Sequence, residues 1–398
     1  MPASRLLPFL FLTLPVLSFS GCQLRAVPPL SGQIALQPGW RPVMYLVQPR
    51  HFGDIAANYA GVVVDSALIG PDGSFSFDRF QAPEEPALYE LVIQPEGSRF
   101  ANKLNDEDPE TANYLPLTLK KGNEVRLQAE AGRLSASAAF NPYSTDNLAF
   151  TQLRDIRRQA FDRFLRVPAG DAHADDAAML EQAARLGAFR APLMAFADTT
   201  QSFWAAMLAV RWVAPDGDYE RVPEFLIRQC RRWGISHEKS LFAQQLCALA
   251  NPHHLPVAIG DTIPDFALPV PGGDTLRLHA LLGKRLTVLD LWASWCAPCR
   301  RENREVLAPL WARYRSSGLA VVGYALDSSP ETWKAAIRKD GAAWVQTSHL
   351  GGDASPFLDA LRVKTIPANF LLDADGKVVA KNVHGEALQA FVDRFFAR

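Results

Sequence analysis

The stretch Trp295-Cys296-Ala297-Pro298-Cys299 constrains this chain more than any other. It follows Leu286 to Trp292, a run that is apolar except at Thr287 and Asp290, as a buried strand requires. It precedes Val306, Leu307, Leu310, Trp311 and Tyr314, whose spacing puts an apolar face on a helix. The two cysteines therefore lie at a strand-to-helix junction. Unpaired N–H groups and the dipole of a helix start favour a thiolate on Cys296. Cys299 sits one turn on, within reach of a mixed disulfide formed there, so the pair can pass two electrons reversibly. Zinc is disfavoured, because no second Cys-x-x-Cys and no ligand-spaced histidine follows. A purely structural disulfide over so short a span would constrain little unfolded chain.

Around this junction, from Gly260 onward, strands and helices alternate. Phe266-Ala267-Leu268 and Leu276-Arg277-Leu278 flank Pro271-Gly272-Gly273 as a hairpin, and Leu319 to Ala325 is a second buried strand. Pro330 opens a helix, Phe370-Leu371-Leu372 and Val378-Val379 flank the turn Asp373-Ala374-Asp375-Gly376, and Glu386 to Phe396 closes the chain as a helix. The order over residues 256–398 is β-α-β followed by β-β-α.

Residues 31–139 show short strands instead: Val43 to Val47, Gly61 to Val64, Phe75 to Phe77, Leu88 to Ile93 and Val125 to Leu127. Gly70-Pro71-Asp72-Gly73 and Lys121-Gly122-Asn123 supply turn chemistry, and the pattern predicts a small β-sandwich. Residues 140–255 switch to a helical period, first as a stripe through Leu148, Phe150, Leu153, Ile156, Phe161 and Phe164-Leu165. Further helices are predicted over Phe203 to Val213, Tyr219 to Trp233 and Ser240 to Ala250, with Pro215-Asp216-Gly217 and Gly234 as breakers. The predicted fold is multidomain, α+β and α/β together. Cys230 and Cys247 fall in predicted helices, either bridged across a helical hairpin or left as buried thiols. His253 and His254 stand beside prolines without a ligand set and read as loop residues, so no metal is expected.

The N-terminus reads as an address. Met1 to Arg5 is a short basic start, Leu6 to Phe19 is almost wholly apolar, and residues 1–21 have the layout of a secretory signal. Ser20-Gly21-Cys22 resembles the lipobox of bacterial lipoproteins, whose processing leaves Cys22 lipidated, although Phe19 stands where leucine is usual. A plain signal peptide ending nearby, with Cys22 incidental, is the alternative. Acyl chains contribute about 0.8 kcal/mol per buried CH₂, enough in combination to anchor a chain. Residues 22–30, with Pro28 and Pro29, form a tether, and Gln23 in place of aspartate favours the periplasmic face of the outer membrane. The composition, 48% hydrophobic over 398 residues, excludes a largely disordered chain. A net charge of −1 supplies no general basic face, so no nucleic-acid partner is expected.

Leu289-Asp290-Leu291-Trp292-Ala293-Ser294-Trp295-Cys296-Ala297-Pro298-Cys299-Arg300 closely resembles the active-site stretch of thioredoxin-fold proteins. More specifically, with Thr365-Ile366-Pro367, Phe370-Leu371-Leu372-Asp373 and Gly376, the last part of the chain resembles the exported, membrane-anchored thiol–disulfide oxidoreductases of the TlpA/ResA-like family. Gly32, Val64-Asp65-Ser66, Gly73-Ser74-Phe75 and Tyr89 more loosely resemble a β-sandwich domain of unknown function often fused to such lipoproteins. The resemblance implies a cis peptide before Pro367, which would expose the backbone of Ile366 to an extended substrate peptide. It also matches Asp290 to the buried aspartate of thioredoxins and Glu302 to the glutamate of the exported branch. A carboxyl in an apolar site can take or return the proton of Cys299. Having both is unusual, and Arg304 replaces a proline often found two residues after that glutamate. Trp295, with Ala297 and Pro298, would form the surface met by a partner, while Trp292 packs inside. Arg300 and Arg301 are read either as steering acidic partners or as a solvated pair.

Three functions follow as expectations. The first is a periplasmic protein thiol–disulfide oxidoreductase working in the reducing direction on disulfide-containing proteins. Its electrons would come from a membrane thiol carrier, with no soluble cofactor beyond the Cys296–Cys299 disulfide. The second is an envelope lipoprotein whose N-terminal domains bind a partner and whose thioredoxin domain senses redox state or serves as scaffold. The third, ranked lower, is a thioredoxin-like peroxidase, against which Trp292 and Trp295 crowd the region of the peroxidatic motif.

Overall fold

The computed structural model describes residues 27–56, 61–98, 108–141, 144–166, 176–251, 253 and 255–397. The expected signal segment, Cys22 and most of the tether lie outside the described residues, as does His254. The N-terminal part contains β1 (Leu30–Ala35), β2 (Trp40–Gln48), β3 (Val62–Leu68), β4 (Ser74–Ser76), β5 (Ala87–Pro95), β6 (Tyr114–Leu119), β7 (Val125–Glu130), the short helix α1 (Leu134–Ser137) and β8 (Ala139–Phe140). They form two four-stranded sheets, ordered β4-β1-β7-β8 and β3-β2-β5-β6. Side chains of both sheets, among them Leu30, Ile34, Leu46, Leu91, Leu117 and Leu127, share one core. The chain enters β1 at Leu30, within the expected tether, because that side chain is fully buried in this core.

Period-two alternation explains what covers the second sheet's other face. Leu91, Ile93, Leu115 and Leu117 point into the first core, so Leu88, Val92 and Tyr114 point the opposite way. There they meet helices α2 (Thr145–Phe164), α3 (Asp176–Thr199), α4 (Phe203–Val213), α5 (Pro223–Ser236) and α6 (Leu241–Leu249) in a second core. The sheets and helices thus build one continuous packed body. Leu148, expected on the buried stripe of α2, is exposed; the covered face runs through Ala149, Phe150, Leu153 and Ala160.

Helix α2 also seals a sheet edge. Asn147 accepts from the backbone N–H of Thr118 at 2.7 Å and donates to its carbonyl at 3.0 Å, as a neighbouring strand would. Pro116, two residues earlier on β6, faces the same side, where its missing N–H leaves nothing to satisfy. The opposite edge, β3, leaves Val62, Val63 and Leu68 exposed.

Gly234, expected to break a helix, lies inside α5. A Cβ there would come within 2.8 Å of Cys247 Sγ. The glycine makes room for a disulfide between Cys230 on α5 and Cys247 on α6, the bridged alternative of the sequence reading.

The remaining residues form β9 (Ala267–Pro269), β10 (Thr275–Arg277), β11 (Leu286–Trp292), α7 (Ala297–Glu302), α8 (Ala308–Tyr314), β12 (Leu319–Ala325), α9 (Pro330–Asp340), β13 (Val345–Thr347), α10 (Pro356–Leu361), β14 (Ala368–Asp373), β15 (Val378–Lys381) and α11 (Gly385–Phe396). A five-stranded sheet runs β13-β12-β11-β14-β15, with β12 parallel and β14 antiparallel to the central β11. Leu286, Val288 and Leu371 face Val306, Leu307 and Leu310 of the α7–α8 helix and Leu388 and Val392 of α11. Leu289, Leu291, Phe370 and Leu372 face Trp333 of α9 and Phe357 of α10. Lys381 on β15 ties this part to the helices before it, bonding Glu224 of α5 at 2.7 Å and the Val257 carbonyl at 3.0 Å. No helix among the described residues is long and apolar enough to cross a membrane.

Removing the side chain of Asn147 leaves the buried Thr118 amide and carbonyl unpaired. Asn147→Ala is expected to lower stability by about 3 kcal/mol, read as a shift of the urea midpoint at unchanged slope.

Candidate active site

The end of β11 is the natural place for a site, because the parallel strands β11 and β12 both end there and open a crevice. The turn from β11 into α7 is gripped from two sides. Asp327, buried just past β12, accepts from the backbone N–H of Ser294 at 2.9 Å and also from its hydroxyl. Arg300 donates to the Ser294 carbonyl at 2.9 Å and forms a two-pronged ion pair with Asp340, a carboxylate wholly shielded from solvent. Arg304 adds a second cation on Asp340 at 3.0 Å. Neither reading of Arg300 as a solvated or partner-steering charge fits this geometry, since its guanidinium is spent inside the molecule.

Held this way, Cys296 occupies the cap position of α7, and its sulfur accepts the backbone N–H of Cys299 at 3.3 Å. The two cysteines are joined as a disulfide. Cys296 retains 6% of its exposure and Cys299 1%, so attack from outside reaches Cys296 first. Trp295 and Ala297 are exposed beside it, whereas Pro298 is buried in the first turn of the helix rather than offering surface to a partner. Trp292 is buried and donates to Gln346 at 3.2 Å. The Ile366–Pro367 peptide is cis, and Ile366 packs on the apolar cluster that contains both cysteines.

Strand parity places Asp290 on the same sheet face as Leu286 and Val288, beneath the α7–α8 helix and α11. Asn369 of β14 is its direct cross-strand partner. Burial, and secondly the nearby charge of Glu302, hold the Asp290 carboxyl well above the ordinary carboxylate range. Glu302, three residues after Cys299 on one helix face, is itself buried. Its Oε2 lies 2.8 Å from His384 Nδ1, and its Oε1 accepts the Gly385 N–H at 3.0 Å, at the start of α11. Asn369 fixes that same turn, donating to the Val383 carbonyl at 2.6 Å and accepting the Val383 N–H at 3.0 Å. Beyond Glu302 the helix widens into a π turn, Asn303–Leu307, ahead of Pro309, which has no N–H to continue the regular ladder.

The sequence candidates Cys296, Cys299, Asp290, Glu302 and Ile366-Pro367 thus gather in one part of the fold. Sequence reasoning missed Ser294, Asp327, Asp340, Asn369 and His384. Only His384 carried a local signal, as a histidine directly before a helix-opening glycine.

Residues 259–381 match the AhpC/TSA family. The thiol-disulfide oxidoreductase ResA of Geobacillus thermodenitrificans (strain NG80-2) is 31% identical over 123 residues, covering 31% of this chain and 67% of that protein. The chain belongs to the ResA-like thiol–disulfide oxidoreductases. The ResA of Bacillus subtilis (strain 168) is 28% identical over 136 residues, covering 34% of this chain and 73% of its own length. Among solved structures, a thiol-disulfide oxidoreductase from Bacteroides fragilis NCTC 9343 is 33% identical, covering 34% of this chain and 98% of its own, with a TM-score of 0.32. As in that family, the C-terminal part is a thioredoxin-like domain, and the chain is a thiol–disulfide oxidoreductase.

Asp290 gives this ResA-like domain a measurable pH signature. Its carboxyl is raised in the folded chain, so between the ordinary carboxylate range and the raised value the folded state binds more protons than the unfolded one. The stability it contributes is full below that window and is lost as pH rises through it. Asp290→Asn is expected to flatten that fall and to be more stable than the parent above the window. Urea midpoints taken across pH check this, and an unchanged slope in the variant would refute it.

Proposed function

We propose that this is an exported, lipid-anchored oxidoreductase that reduces disulfides in periplasmic proteins. The observation that carries the reading is the barely exposed Cys296 at the cap of α7, bonded to Cys299 and flanked by the exposed Trp295. In the reduced form, the Cys296 thiolate attacks a substrate disulfide. Cys299 then gives its proton to the Asp290–Glu302 carboxyl pair and attacks Cys296 Sγ, closing the internal disulfide and releasing the second substrate thiolate. The backbone of Ile366, before the cis Pro367, would pair with an extended substrate segment, and Trp295 and Ala297 would add apolar contact.

The rest of the reading comes from the sequence. The layout of residues 1–22 supports export and a lipid on Cys22, and Gln23 supports the outer membrane's periplasmic face. Electrons would arrive from a membrane thiol carrier, with no soluble cofactor. We read the two N-terminal sheets as the expected β-sandwich over 31–139, the helices as the region 140–255 and the thioredoxin-like domain as 256–398. Helix α3 runs alongside α7. The helical region therefore stands next to the redox site and would restrict which proteins reach it.

One observation favours a second role for the N-terminal part: the open β3 edge with Val62, Val63 and Leu68 exposed suits addition of a partner's strand. Four measurements separate the readings. Cys299→Ser is expected to accumulate mixed disulfides with periplasmic proteins, and Cys296→Ser to accumulate none and to lose disulfide reduction. The couple's potential should lie toward about −270 mV; a value near −120 mV, roughly 7 kcal/mol away, would reverse the direction of electron flow. Partner binding that persists in Cys296→Ser, without mixed disulfides in Cys299→Ser, would favour the binding role. Fast peroxide consumption would favour the peroxidase.

A further inference from the structure

In the mechanism proposed above, on which this inference rests, each closing or opening of the Cys296–Cys299 disulfide moves a proton between Cys299 and the Asp290–Glu302 carboxyl pair. Asp290 and Glu302 are both buried, so that proton needs a way to and from water. The Glu302 carboxylate meets one group that is at once titratable, in hydrogen-bond contact and partly exposed. His384 Nδ1 lies 2.8 Å from Glu302 Oε2, and its side chain is 23% exposed against 5% for Glu302. Its Nε2 has no hydrogen-bond partner among the described residues. A neutral imidazole can accept a proton on one nitrogen while releasing one from the other.

We propose that His384 is a proton relay joining the buried Asp290–Glu302 pair to solvent. When Cys299 attacks the mixed disulfide, the Cys299–H bond breaks and its proton passes to the carboxyl pair. The Cys299–Cys296 bond forms, the Cys296–substrate bond breaks, and the departing thiolate is protonated by water. The proton held by the carboxyls then moves from Glu302 Oε2 to His384 Nδ1, and one leaves from Nε2. When the disulfide is opened by a dithiol, the same path runs inward and supplies the proton for the Cys299 thiolate.

The surroundings of His384 suit this role. Asn369 hydrogen-bonds Val383 on both its N–H and C=O, fixing the turn that aims the ring. The other titratable groups on neighbouring elements are committed elsewhere or face water. Arg304 is paired with Asp340, Lys381 with Glu224, and Glu305 and Glu386 are exposed.

The relay requires the thiol–disulfide chemistry of the domain and the carboxyl pair as the partner of the Cys299 proton, whatever the substrate or direction. It is tested on the full chain by opening the Cys296–Cys299 disulfide with dithiothreitol and counting alkylated Cys296 and Cys299 by mass. His384→Asn keeps a donor at the Nδ1 position and a good helix cap while removing the titrating ring. The variant is expected to react about a hundredfold more slowly. Its pH–rate profile should lose an inflection that the parent chain shows, and added imidazole should restore the rate. His384→Gln should behave in the same way. An unchanged rate and profile would overturn the relay, as would a slowing that is equal at every pH and insensitive to imidazole. Failure of the chain to reduce protein disulfides would instead overturn the proposed direction and leave this readout intact.

Discussion

The redox geometry depends on the grip on Ser294. A strand that ends and a helix that begins within four residues leave backbone groups unpaired, and the orientation of the first cysteine is set by how they are satisfied. Here Asp327 takes the Ser294 N–H and hydroxyl, and the Arg300 guanidinium takes its carbonyl. Arg300 is in turn immobilised by Asp340, which is fully buried and paired with two arginines. Removing Asp340 would leave both guanidinium groups without their carboxylate and release the hold on Arg300. The turn is therefore rigid for electrostatic reasons as well as steric ones.

Below that turn, the sheet face under α7 and α11 is mixed in character. Leu286, Val288 and Leu371 make it apolar at one end, and Asp290 with Asn369 makes it polar at the other, under Glu302 and His384. The polar end joins three elements that the chain reaches far apart in sequence: the active-site helix, the last helix and the central strands. The same side chains that govern protons also set where α11 begins, because Glu302 caps its first amide. Chemistry and architecture share residues here, so substitutions at Glu302 are expected to affect both.

Much of this was legible in the sequence because the signals were local. The apolar run before Trp295, the spacing of the two cysteines and the Asp373 to Gly376 turn each specify an element without reference to the rest of the chain. What escaped had no local signature. β6 carries Pro116, which reads as a breaker and is tolerated only because its side of the strand has no ladder to complete. β13 is three residues long and exists through its parallel pairing with β12. Spacing alone puts Leu148 on a buried face, but the face of α2 is chosen by the sheet and helices it meets. The Ser294 brace and the Glu302–His384 contact join residues 33 to 82 positions apart, a separation no periodicity encodes.

Gly234 carries one more consequence. A glycine inside a helix costs about 1 kcal/mol relative to alanine. Here that cost is offset by the neighbouring bridge, which over a loop of this length contributes about 3 kcal/mol. The exchange is favourable only where the two sulfurs are oxidised. In a compartment that keeps thiols reduced, the same glycine would weaken α5 and return nothing. The interior of the helix thus carries a chemical dependence on the redox state of its surroundings, independent of any targeting segment.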